Sequence, residues 1–169
     1  MSDSVLRYAD GPSTEASIDI DAPPDRVWAL VTDVQLPARF SSEFQGAELL
    51  GGATAPALGV RFVGRNHHPA AGSWETTSTI TVFDPLRVFG YDVEGADGRP
   101  SASWRFTLEP KEQGTRLTQW MRMGPGRSGI NPAIEAMPDK EDRILRRRLA
   151  EHRANMEATL AGIKSLAEA

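Results

Sequence analysis

From residue 14 to 21 the chain alternates between apolar and polar positions. Ala16, Ile18 and Ile20 fall on one side, and Ser17, Asp19 and Asp21 on the other. A period of two is that of a β-strand with one buried face. Pro23-Pro24 ends this strand, and Val27, Leu30 and Val31 then recur at helical spacing. Proline is tolerated in a first helical turn, so a short helix is predicted here. Pro37 opens a second short helical piece that ends near Phe40.

Five or six further strands are predicted, each from the same alternation. They run from Phe44 to Leu50, Val60 to Asn66, Trp74 to Phe83, Val88 to Val93, Ser103 to Leu108, and Thr115 to Met123. The segments between them carry turn residues, among them Gly51-Gly52, Asp84-Pro85, Gly95-Ala96-Asp97-Gly98 and Glu112-Gln113-Gly114. Short turns between successive strands make antiparallel neighbours. The period then changes. Asn131-Pro132 is a helix-start signal, with Asn131 as the cap, and Pro138 breaks that segment. From Asp139 onward Ile144, Leu145, Leu149, Met156, Leu160 and Ile163 form an apolar stripe, with Arg146, Arg147, Arg153 and Glu157 on other faces. This is an amphipathic helix of roughly seven turns or more. Its stripe must cover the concave side of the sheet. The fold class is therefore α+β: an antiparallel sheet of six or seven strands curved around a long C-terminal helix, in one domain over residues 1–169.

That order of elements, with the residues on it, resembles the START-like superfamily and its helix-grip fold. It is most similar to the polyketide cyclase/dehydrase-like (SRPBCC) family. The residues that carry the resemblance are Ile18-Asp-Ile-Asp-Ala-Pro-Pro-Asp-Arg-Val-Trp28, Leu50-Gly-Gly52, Arg61-Phe-Val-Gly-Arg-Asn66 and Trp74-Glu-Thr76. Asp84-Pro85, Trp104-Arg-Phe106 and Gly114-Thr-Arg-Leu-Thr118 continue it. The segment Met123-Gly-Pro-Gly-Arg-Ser-Gly129 resembles an actinobacterial branch of the family. The resemblance implies a cavity between sheet and helix. It does not choose among lipid carriage, hormone or quinone binding and polyketide cyclisation, because one fold hosts many activities.

Composition narrows the partners. The 169 residues are 40% hydrophobic and 25% charged, with a net charge of −4. An acidic balance argues against nucleic acid, whose phosphates need a basic surface. There is no cysteine, so disulfides and thiolate chemistry are excluded. A cysteine-free chain fits a reducing compartment, and a cytoplasmic location is expected. The opening MSDSVLRYAD has no basic segment followed by an apolar run, so no secretory signal is expected, and no apolar stretch is long enough to span a bilayer.

The alternation places Phe62, Asn66, Trp74, Thr76, Ile80, Tyr91, Trp104, Phe106, Gln119 and Met121 on the concave face. Aromatic area with a few neutral polar groups is what a small-molecule cavity needs. Phe62, Asn66, Trp74, Thr76, Tyr91, Trp104, Gln119 and Met121 are accordingly the candidate ligand-binding residues. The alternative is that these side chains fill the core and leave no cavity. Asn66 and Gln119 are the most informative, because a buried amide needs a partner, whether backbone or ligand. Glu75 and Arg105 alternate with inward residues and should face solvent, and Arg39 is expected at the surface near a pocket mouth. His67 and His68 are expected as exposed loop residues. Adjacent residues on a strand face opposite sides, so the pair cannot clasp one metal, and no metal site is expected. Gly124-Pro-Gly126-Arg-Ser-Gly129 matches G-x-G-x-x-G but lacks the following parallel strand of a dinucleotide site, so no cofactor is expected. The loop is expected to swing the chain onto the last helix and to be able to gate the cavity. The arginines 143, 146, 147, 148 and 153 are interleaved with acids and read as a solvated helix face.

Two functions fit. The first is binding of a small hydrophobic or aromatic metabolite, polyketide- or lipid-like. The second is an aromatase/cyclase or dehydrase acting on such a molecule. Catalysis needs a titratable group inside, and Tyr91 is the only one the strand pattern places there. A phenol is a poor base at neutral pH, so binding is the preferred reading.

Overall fold

A computed structural model describes residues 4–169. The predicted strands form as β1 (Ser13–Ile20), β2 (Phe44–Leu49), β3 (Arg61–His68), β4 (Gly72–Asp84), β5 (Val88–Glu94), β6 (Pro100–Lys111) and β7 (Gly114–Met123). The helices are α1 (Pro24–Val31), α2 (Asn131–Ala136) and α3 (Glu141–Ala167), with 3₁₀ turns at Tyr8–Asp10, Leu36–Arg39 and Pro138–Lys140. All seven strands make one antiparallel sheet in the order β1-β7-β6-β5-β4-β3-β2. Five successive hairpins run from β2 to β7, and β1 then completes the sheet beside β7. The connection from β1 to β2 must therefore pass from one sheet edge to the other. It does so through α1 and the Leu36–Arg39 turn, which lie across one end of the trough. This is the α+β helix-grip arrangement.

Helix α3 packs along β1 and against α1. Its stripe is buried at Leu145, Met156, Leu160, Ile163 and Ala167, while Ile144 and Leu149 are half-buried. Val27, Leu117 and Leu145 are completely enclosed, so α1, the sheet and α3 share one apolar core. None of the helices among the described residues is long and apolar enough to cross a membrane.

Two expectations change here. Asn131 does not cap α2 from outside. It is the helix's first residue, and its side chain instead accepts from the Ser128 backbone N–H at 2.7 Å, holding the preceding turn. The glycine-rich loop does not lie over the space between sheet and helix. It is pinned at the sheet's end, where the Tyr8 hydroxyl donates to the Gly126 carbonyl at 2.5 Å and the Gly126 N–H donates to Pro100 O at 2.6 Å. A Cβ on Gly126 would stand 2.2 Å from the Arg99 carbonyl oxygen, so close backbone approach explains that glycine.

Gly162 has a different reason. A Cβ there would stand 2.4 Å from the Phe40 ring, which packs onto α3 at this point. Replacing a helical glycine with alanine ordinarily stabilises by about 1 kcal/mol. Here the change must displace Phe40, and overpacking costs about 1–3 kcal/mol. Gly162→Ala is therefore expected to lower the urea midpoint, and a raised midpoint would show that Phe40 is not held against the helix.

Candidate functional site

Between the concave face and the middle of α3 lies a cavity of about 130 Å³. Strands supply most of its wall: Phe62 and Asn66 from β3, Thr76 and Ser78 from β4, Phe89, Tyr91 and Val93 from β5, Trp104 and Phe106 from β6, and Gln119 from β7. Helix α3 supplies His152, Asn155, Met156 and Thr159. The lining runs out to the exposed Asp33, to Pro37 and to Ser41 in the connection from α1 to β2. Six of the eight candidate residues meet here: Phe62, Asn66, Thr76, Tyr91, Trp104 and Gln119. Trp74 and Met121 do not. Met121 is 1% exposed within the core, and Trp74, half-buried opposite Asn66 at the start of β4, does not reach the cavity. Alternation selects a face of the sheet but not a position along it, so it could not make this distinction.

The aromatic wall is built from edge-on ring contacts. Phe62 meets Tyr91 at 5.0 Å between centroids and 77° between planes. Trp104 meets His152 at 5.4 Å and 80°. Such arrangements set the positive edge of one ring against the negative face of the other and hold both in place.

Gln119 is 6% exposed, and its Oε1 has no hydrogen-bond partner among the described residues. Its cross-strand neighbours explain why: Ala16 on β1 and Phe106 on β6 offer no side-chain donor. The backbone groups alongside belong to the strand ladders. A buried acceptor left unpaired costs about 1–3 kcal/mol. The Asn66 amide likewise makes no side-chain hydrogen bond among the described residues.

The sequence pattern overlooked His152. It stands between Leu149 and Met156, at the spacing that continues the apolar stripe, so its helical position was the available signal. Burial pulls its imidazole down to about 4, the Arg148 guanidinium one turn away adds to this, and Glu43 and Glu151 oppose it. The ring is therefore neutral at pH 7. Tyr91 is not the only titratable group inside, and burial pushes its phenol well above the ordinary value.

A charged network borders the cavity. Arg148 donates to both oxygens of Glu43 at 2.6 and 2.8 Å and to Glu151 at 3.1 Å. His68 Nε2 lies 2.7 Å from Glu151 Oε2. Asn155 Oδ1 accepts from the backbone and hydroxyl of Ser42 at 2.9 and 3.0 Å. Together these bonds tie the segment before β2 to α3. Burial disfavours the Glu151 carboxylate, but His68 and Arg148 outweigh this and hold it below its usual range. Arg148 is thus not on a solvated face; its side chain is 21% exposed. His68 is not a loop residue either. It ends β3, half-buried, two residues beyond Asn66 on the same face, whereas His67 points outward to Ser73. Both histidines line a second depression, of about 250 Å³, and Arg39 lies exposed over the Phe40 ring. Neither histidine nor Arg39 enters the cavity lining. Glu43, His68 and Glu151 bring one possible ligand atom each to within 4.8 Å of one another, as a divalent cation would need. Arg148 already donates to both carboxylates and supplies their counter-charge.

Two measurements follow from these charges. An imidazole near 6.5 when unfolded and near 4 when folded makes the unfolded chain bind the extra proton between those values. Stability should fall as pH drops from 6.5 to 4, by up to about 3 kcal/mol from this group. Urea unfolding of His152→Gln across that range should show the slope reduced relative to the parent chain; identical slopes would place the imidazole in water. Arg148→Ala strips the counter-charge from two half-buried carboxylates and should cost about 1–3 kcal/mol, less than a fully buried pair would. Adding Glu43→Ala should recover part of that loss, and strictly additive losses would mean the pair is not coupled.

Residues 12–168 match the family described as polyketide cyclase / dehydrase and lipid transport. The Polyketide_cyc-like protein Cgl2372 from Corynebacterium glutamicum is 33% identical, with 91% of this chain and 90% of that chain covered at a TM-score of 0.61. The di-domain ARO/CYC protein BexL of the BE-7585A biosynthetic pathway is 20% identical, with a TM-score of 0.69 over 96% of this chain and 52% of that one. Ara h 8.0201 shares the fold at 13% identity and a TM-score of 0.58, with 92% of this chain and 99% of that chain covered. A search of curated proteins returned no significant match. With a family match that runs from just before β1 to the end of α3 and a solved relative one-third identical, the chain belongs to the polyketide cyclase / dehydrase and lipid transport family.

Proposed function

We propose that this protein binds a small hydrophobic, aromatic or polyketide-like molecule in the cavity between the sheet and α3. The observation that carries the reading is the cavity itself, walled by Phe62, Phe89, Phe106 and Trp104, with polar atoms of the Asn66 and Gln119 amides in its lining. An aromatic wall supplies affinity through buried apolar area, and a polar atom of this kind supplies orientation. Membership of a family that includes lipid transport, and likeness in fold to an ARO/CYC protein, support the same reading.

His152 favours a second reading, catalysis on such a molecule, because it puts a neutral imidazole in the lining. A neutral imidazole can accept a proton and pass it on, as cyclisation or dehydration requires. Its depressed basicity makes it a weak base at pH 7, and binding therefore stands first.

Binding is tested by titration calorimetry with 2-naphthol, an uncharged aromatic of two rings. Saturable one-to-one binding is expected. Ser78→Leu puts a larger side chain at a buried lining position and should abolish the signal while leaving the circular dichroism unchanged. The reading fails if neither this probe nor a broad set of neutral aromatics gives a saturable signal, or if Ser78→Leu binds like the parent chain.

A further inference from the structure

We infer that residues 32–43 are the door of the cavity: a strap across its mouth, tied to α3 at Arg148, Asn155 and Gly162, that lifts from the helix to admit and release the occupant. The inference rests on the binding reading above and says how the molecule gets in.

The rest of the wall is closed by stronger means. Antiparallel ladders join β3 to β7, and parting two strands would break a row of backbone hydrogen bonds at once. Helix α3 is set by the buried side chains of Leu145, Met156, Leu160 and Ile163, so moving it would expose the core. The glycine-rich loop is pinned at the sheet's end through Tyr8 and Pro100 and supplies nothing to the lining.

Residues 32–43 differ in each respect. They supply Asp33, Val34, Pro37, Ser41 and Glu43 to the lining, so lifting them opens the cavity from the side. Their one regular element is the 3₁₀ turn at Leu36–Arg39, and Leu36 is their one fully buried side chain. A segment with so little buried apolar area is where local opening is easiest.

Three contacts hold the strap down. Phe40 packs over Gly162, and Ser42 donates from its backbone and its hydroxyl to Asn155 Oδ1 at 2.9 and 3.0 Å. Glu43 accepts from Arg148 at 2.6 and 2.8 Å. Arg148, Asn155 and Gly162 follow one another at intervals of seven residues, close to two helical turns, and so lie in one line along α3. The cavity residues His152, Met156 and Thr159 lie beside that line. The Ser42 bonds are exposed, so water can take them over when the strap lifts, at little net loss.

Entry and exit pass through the same lifted state. The ties exist whether the cavity is empty or filled. Weakening one therefore raises both rates by the same factor and leaves the dissociation constant alone, which a contact that shaped the site would not do.

The test uses 2-naphthol in stopped flow, read by tryptophan emission because Trp104 lines the cavity, with calorimetry for the dissociation constant. Neither Ser42 nor Phe40 belongs to the lining. Ser42→Ala loses one neutral hydrogen bond and should raise association and dissociation about fivefold each. Phe40→Ala loses the packing on Gly162 and should raise both about tenfold or more. In each variant the dissociation constant should stay within about twofold of the parent value. Arg127→Ala, which frees the glycine-rich loop from Glu135, should leave both rates unchanged. Ser42→Ala, the milder change, decides the matter should Phe40→Ala fail to fold. Unchanged rates in Ser42→Ala, weakened affinity without faster association, or acceleration by Arg127→Ala would each overturn the door while leaving the cavity a binding site. Absence of any heat or fluorescence change with 2-naphthol and other neutral aromatics would overturn the binding reading, and the door with it.

Discussion

The structure depends on a mismatch of widths. Seven strands at about 4.8 Å spacing make a sheet some 30 Å broad if laid flat, whereas one helix with its side chains is about 10–12 Å across. Curling reduces the difference but does not remove it. Helix α3 satisfies the β1 side of the trough, and α1 with the Leu36–Arg39 turn crosses one end. The middle of α3 then faces β3 to β7 without enough side-chain volume to meet them. The cavity is that shortfall, and the large rings of Phe62, Phe89, Tyr91, Trp104 and Phe106 narrow it without filling it.

Charge is distributed in a way that protects this space. The interior carries neutral hydrogen-bonding groups: three amides, a phenol that burial keeps protonated and an imidazole that burial keeps unprotonated. Ionised groups are gathered at one border, where Arg148, Glu43, Glu151 and His68 satisfy one another. The same network joins α3 to the segment leading into β2. Cohesion of the fold and the low polarity of the cavity thus share one set of side chains, and Arg148 contributes to both through its proximity to His152.

The family places this chain among proteins whose common feature is a sheet gripping a helix around a hollow. His152 puts a neutral imidazole in the cavity lining. Phe40 against Gly162 and Ser42 against Asn155 hold the connection between α1 and β2 to the helix beside the opening.

Strand faces were legible from residue order because side chains alternate with a period of two whatever else the chain does. Phe62, Asn66, Thr76, Tyr91, Trp104 and Gln119 could therefore be assigned to one surface before any contact was known, and the stripe from Leu145 to Ile163 announced the covering helix. His68 obeyed the same parity two positions beyond Asn66, and His152 obeyed the helical spacing. Both were legible in principle and were hidden only because a polar residue inside an apolar pattern reads as its edge. Other features were not legible. How far along its strand a residue lies from the cavity separates Trp74 and Met121 from their neighbours, and that depends on where α3 crosses the sheet. The bond between Arg148 and Glu43 joins residues 105 positions apart, and no local period encodes such a meeting. The lack of a donor beside Gln119 Oε1 follows from Ala16 and Phe106 being its partners across two ladders. Local pattern determines which way a side chain points; only the assembled sheet with its helix decides what it finds there.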